Sequence, residues 1–96
     1  MLQPADGSQR LDKWLFYARL VKTRALAATL AESGGVRING QKTAKAAALV
    51  RPGDVLTIAL PGRILICRIT ACADRRGPAP EAQKLYDEIA APATKP

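Results

Sequence analysis

An α+β fold follows from three observations on this 96-residue sequence. Apolar residues recur at spacings of three and four through 10–33, as on the packing faces of two successive helices. Beyond Gly35 apolar and polar residues alternate in twos, punctuated by Asn39-Gly40, Pro52-Gly53 and Pro61-Gly62. Such pairs turn a chain back on itself into antiparallel strands. Helical spacing then returns over 80–90, which predicts a last helix. The length allows one domain with a small core.

Residues 1–9 read as a flexible polar leader with Pro4 and Gly7, and Ser8 is the expected N-cap of the first helix. In that helix Leu11, Trp14, Leu15 and Ala18 share one face, and Arg10, Lys13 and Tyr17 share the face beside it. One side packs and its neighbour is cationic. Trp14 is assigned to the core. Thr23 is the expected N-cap of the second helix, whose packing face is Leu26, Ala27, Leu30 and Ala31; Gly34-Gly35 ends it. Val36 and Ile38 open a hairpin that turns at Asn39-Gly40 and returns over 41–43. Residues 45–50 are expected to form a looser apolar link, and 51–54 a turn in which Asp54 is a turn residue. A strand follows over 55–60, then the longest strand over 64–73, with Leu65, Cys67, Ile69 and Ala71 on one side. The last helix, over 80–90, packs through Ala82, Leu85, Tyr86 and Ile89. A disordered tail is expected over 91–96.

The composition narrows the functional classes. Net charge is +7, and the window 10–51 holds nine cations against Asp12 and Glu32, so it carries the entire excess. Such a surface favours a polyanion. A membrane partner is not expected: no apolar run reaches the roughly 20 residues of a spanning helix. Residues 1–9 contain no apolar core of the kind a signal peptide needs, so the expected location is the cytoplasm. The chain has no histidine, no phosphate-binding glycine loop and no carboxylates at catalytic spacing. No enzymatic activity, metal or cofactor is therefore expected. Cys67 and Cys72, five apart on the long strand, point to opposite faces and cannot pair with each other.

The chemistry concentrates where the first helix passes to the second. A helix start presents free N–H groups and a partial positive charge, which together hold phosphate. Lys22, Thr23 and Arg24 lie at that start; Arg10, Lys13 and Arg19 come from the helix before it. Arg24 in a first turn opposes the helix dipole, an arrangement that an external phosphate would relieve. Tyr17 and Phe16 lie off the packing face and are offered as stacking surfaces for bases.

The runs RLDKWL, RLVKTR, the Ala27/Leu30 pair, GGVRINGQ and RPGD before a strand occur in order over residues 10–60. They resemble the S-four RNA-binding domain, named after the fourth small-subunit ribosomal protein. RRGPAPEAQKLYDE at 75–88 is similar to the free-standing heat-shock protein fifteen group. The resemblance implies the αL arrangement, two N-terminal helices packed on a small, mostly antiparallel sheet, with 61–90 completing the same domain. It implies RNA binding through Arg10, Lys13, Arg19, Lys22, Thr23 and Arg24, joined by Arg37, Asn39 and Lys42 from the hairpin. The implied partner is ribosomal RNA on the large subunit carrying stalled peptidyl-tRNA, in heat-shock or translation-stress rescue, with tRNA as a further contact. The heat-shock members extend past the last helix into a basic tail, of which nothing follows Pro96 here. An RNA-targeting module acting in trans for an rRNA-modifying enzyme, such as a pseudouridine synthase, is the alternative. Duplex DNA is expected to bind more weakly, because Ala25, Leu26, Ala27 and Ala28 offer few polar groups to base edges. A monomer is expected.

Overall fold

The computed structural model describes residues 7–89; the expected tail over 91–96 and residues 1–6 of the leader expected over 1–9 lie outside them, while Ser8 and Gln9 of that leader are buried. The first element is not a helix but a two-residue strand, β1 (Gln9–Arg10). It leads directly into α1 (Leu11–Tyr17) and pairs antiparallel with β4 (Leu49–Val50). Ser8 is therefore no N-cap: Arg10 holds that position without a side-chain cap, and Ser8 and the first strand residue, Gln9, are buried. The expected link over 45–50 supplies the partner strand, and Leu11 N–H and Asp12 N–H donate to the carbonyls of Ala48 and Ala46.

Helix α2 (Arg24–Glu32) begins at Thr23, whose side-chain oxygen accepts from the Leu26 N–H at 3.0 Å, as expected. Both helices end in the same six-residue closure. After α2, Gly34 N–H donates to Ala31 and Gly35 N–H to Leu30; after α1, Arg19 N–H donates to Phe16 and Leu20 N–H to Leu15. The residue at the left-handed position is Gly34 in the first case, with φ 86°. In the second it is Arg19, with φ 61°.

The hairpin β2 (Val36–Ile38) and β3 (Gln41–Lys42) turns at Asn39-Gly40, both at positive φ, the geometry that this pair favours. β5 (Val55–Leu60) and β6 (Arg63–Ile69) form the long central hairpin. The predicted last helix is shorter than expected. A turn of α3 (Ala79–Ala82) and a 3₁₀ turn (Gln83–Leu85) give way to a strand, β7 (Tyr86–Glu88), on the open edge of β6. The sheet order is β3-β2-β5-β6-β7, antiparallel throughout. An unpaired edge of backbone donors and acceptors on β6 outweighs the helical spacing of five residues.

The core lies between the helices and the inner face of this sheet: Leu11, Trp14, Leu15, Ala18, Ala27 and Ala31 meet Val36, Leu56, Ile58, Leu65, Cys67 and Ile69. Alternation along β6 is as predicted, with Leu65, Cys67 and Ile69 inward. The strand stops at Ile69, so Cys72 lies in the following loop; both cysteines are free thiols. Burial, followed by the negative charge of Glu88, pushes the Cys67 thiol up to about 12. Trp14 is fully buried and its indole N–H donates to the Ala71 carbonyl at 3.0 Å. Leu26 departs from the expected packing face and is 51% exposed; the alanines below it carry the contact.

Candidate nucleic-acid interface

The elbow between the helices spans 18–23, with its cations held in two groups. Asp12 organises the first. Its carboxylate, only 5% exposed, accepts from Arg10 at 3.0 and 2.8 Å, from Arg24 at 3.4 Å and from the Lys13 N–H at 2.8 Å. Burial alone would raise its pKa. The hydrogen bonds and charges of Arg10 and Arg24 outweigh that, and the carboxyl sits below its ordinary value. One acid thus gathers two arginines from different elements onto one surface. It also gives Arg24, in the first turn of α2, an internal partner beside the external phosphate expected to relieve it.

The second group surrounds Arg19. Its side chain donates to the Gly77 carbonyl at 2.7 Å. Its left-handed backbone costs about 1 kcal/mol where glycine would be free of strain. Lys22 and Thr23 follow, both exposed. Among the described residues Lys13 and Lys22 have no ion pair, which leaves their charge available to an external anion.

The hairpin residues stand on another part of the molecule. Arg37 and Lys42 face each other directly across β2 and β3, both exposed. Like charges opposite each other destabilise a strand pair unless an anion bridges them. The Lys42 side chain also lies against Gly34, beside the C-terminal end of α2, where a cation is favoured. Asn39 is committed internally. Its amide nitrogen donates to Asp54 at 3.1 Å, and its oxygen accepts from the Val55 N–H at 2.9 Å. The Asp54 carboxylate also takes the Arg51 N–H at 3.0 Å, as a turn residue would.

The two aromatic candidates differ. Phe16 is covered by the Arg76 guanidinium, 4.6 Å from its ring centre. Tyr17 is half-buried and lines an open hollow of about 280 Å³ with Asp74, Arg75, Gly77, Glu81 and Leu85. A second, apolar hollow of about 550 Å³ lies between Val21, Leu26, Leu30, Leu60 and Pro61, with Lys22 at its edge. Sequence reasoning missed Asp12 as the hub and the Arg75–Arg76 pair as neighbours of the elbow. The only available signal for the pair was two consecutive arginines before Gly77-Pro78. Nothing in their position, some 55 to 60 residues downstream, tied them to Phe16 and Val21.

Comparison with known proteins agrees with this geometry. A model of the S4 domain matches residues 9–56. The heat shock protein 15 homolog of Haemophilus influenzae is 43% identical over 84 residues, covering 88% of this chain and 63% of that protein. The RQC P-site tRNA stabilizing factor of Bacillus subtilis is 40% identical over 65 residues, covering 68% and 74%. The solved trimeric structure of Vibrio cholerae heat shock protein 15 superposes with a TM-score of 0.81 at 43% identity, covering 86% of this chain and 83% of that one. That relative is a trimer, so the expectation of a monomer finds no support. The chain spans less than two thirds of the length of the Haemophilus influenzae relative. Among the described residues no helix is long and apolar enough to cross a membrane. The domain match, the αL arrangement of helices on sheet and the identity over most of the chain lead to one conclusion: this protein belongs to the S4 domain family.

Proposed function

We propose that this chain is a non-enzymatic, cytoplasmic RNA-binding protein that recognises ribosomal RNA on a large subunit carrying stalled peptidyl-tRNA, in heat-shock or translation-stress rescue. The observation that carries this proposal is the elbow itself. Lys22 and Thr23 lie exposed at the start of α2, flanked by Arg10 and Arg24 on the Asp12 carboxylate. Free N–H groups and a converging set of cations suit phosphate oxygens, and arginine suits them in two-point contact. The names of the relatives, one a heat shock protein and one a factor that stabilises P-site tRNA, support the choice of ribosomal ligand. Recognition then rests on the shape and phosphate spacing of folded RNA more than on base sequence.

Titration against purified large ribosomal subunits at increasing salt tests the proposal. The logarithm of the binding constant should fall steeply and linearly with the logarithm of salt concentration. Lys22→Ala should reduce that slope by about one contact. A slope near zero in the unmodified protein would refute phosphate recognition.

A further inference from the structure

Beyond residue 56, where the S4 domain match ends, the chain touches the elbow a second time. The loop after β6 lies across the end of α1. Arg76 Nε donates to the Phe16 carbonyl at 3.1 Å, its Nη2 donates to the Val21 carbonyl at 3.3 Å, and its guanidinium covers the Phe16 ring. In the opposite direction Arg19 donates to the Gly77 carbonyl. Each loop therefore reaches into the other.

These contacts fall on the groups that set the shape of the elbow. The last carbonyls of a helix lack partners within the helix and carry its negative pole, and a planar guanidinium can reach two acceptors with one rigid fork. The Phe16 carbonyl also takes the Arg19 N–H, so Arg76 holds the helix closure in which Arg19 is left-handed. The Val21 carbonyl belongs to the peptide that joins Val21 to Lys22. Fixing it orients the chain entering α2. Backbone strain at a non-glycine residue persists only where surrounding contacts over-determine it. Here those contacts come from 76 and 77. Beside them Arg75 is exposed and, among the described residues, has no ion pair.

We infer that Arg76 is a positioning residue for RNA binding: with Arg19 and Gly77 it latches the α1–α2 elbow in the shape that presents Lys22 and Thr23, and Arg75 adds one phosphate contact from outside the S4 domain. The inference rests on the elbow being the RNA site. Arg76 acts through the two carbonyls and needs no contact with RNA.

The test compares Lys22→Ala, Arg75→Ala, Arg76→Lys and Arg19→Gly with the unmodified protein. Each is titrated against purified large ribosomal subunits across a KCl series, with urea midpoints measured in parallel. Arg76→Lys keeps the charge and loses the fork, so affinity should fall roughly tenfold at every salt concentration with the slope unchanged. Arg75→Ala should lower the slope by about one. Arg19→Gly removes the tether while relieving the strain, so its urea midpoint should match or exceed that of the unmodified protein while its affinity falls with the slope unchanged. A slope lowered by about one would make Arg19 a phosphate contact and overturn its part in the latch. If Arg76→Lys and Arg19→Gly bind like the unmodified protein while Lys22→Ala is weakened, the latch is overturned and the elbow site stands. An affinity loss in Arg76→Lys that merely follows its urea midpoint, with none in Arg19→Gly, also overturns it. If Lys22→Ala too leaves affinity and slope untouched, the elbow site itself falls.

Discussion

Asp12 shows how one side chain decides what a basic surface can do. Without it Arg10, Lys13 and Arg24 would be three mobile cations; with it, two guanidinium groups share one nearly buried carboxylate. Asp12→Asn keeps the size and removes the charge. It should destabilise the fold by about 1–2 kcal/mol at neutral pH, because the half-exposed arginines contribute less than buried ones would. The pH dependence has a definite sign. The folded pKa lies below the ordinary value of 3.8, so the stabilisation is fully present above that value and is lost as pH falls through the folded one. Urea midpoints of the two proteins should therefore differ at pH 7 and converge in strong acid. An equal gap at both extremes would show that the charge of Asp12 does not contribute.

The two helices share a closing motif but fill its left-handed position differently, and the consequences are opposite. At Gly34, with φ 86°, an added Cβ would meet both backbone strain and the Lys42 side chain. Gly34→Ala should lose about 1–2 kcal/mol in urea denaturation. A neutral result would mean that the end of α2 unwinds at no cost. At Arg19 the strain is already present and held by the Gly77 carbonyl. Sequence pattern found the Gly34 stop because glycine announces it. It could not find the stop at Arg19, since arginine carries no left-handed preference and its conformation is held by contacts from 76 and 77. The short strand β1 was hidden for a similar reason: two residues have no periodicity, and β4 identifies them only by pairing.

For the molecule as a whole, the sequence concentrates its net positive charge in the window 10–51. The tertiary arrangement divides that charge. Arg10, Arg19, Lys22 and Arg24 gather at the elbow, while Arg37 and Lys42 stand opposite each other on the hairpin. In cells under translational stalling, the protein should sediment on a sucrose gradient with free large subunits. Recovery only at the top of the gradient, with and without stalling, would contradict the ribosomal proposal.

By itself the sequence determined the α+β class, the core faces of α1 and β6, the Thr23 cap, the Asn39-Gly40 hairpin and the basic window. The core faces, the cap and the hairpin are written in neighbours a few residues apart, where periodicity, capping and turn chemistry act, and the basic window is written in composition. Only the tertiary structure decided that residues 86–88 form a strand, that Phe16 lies under Arg76, that Asn39 is bound to Asp54 and that Arg76 and Gly77 clasp the elbow. Those outcomes depend on which unpaired backbone groups and exposed rings the folded chain brings together. Local sequence does not encode that proximity.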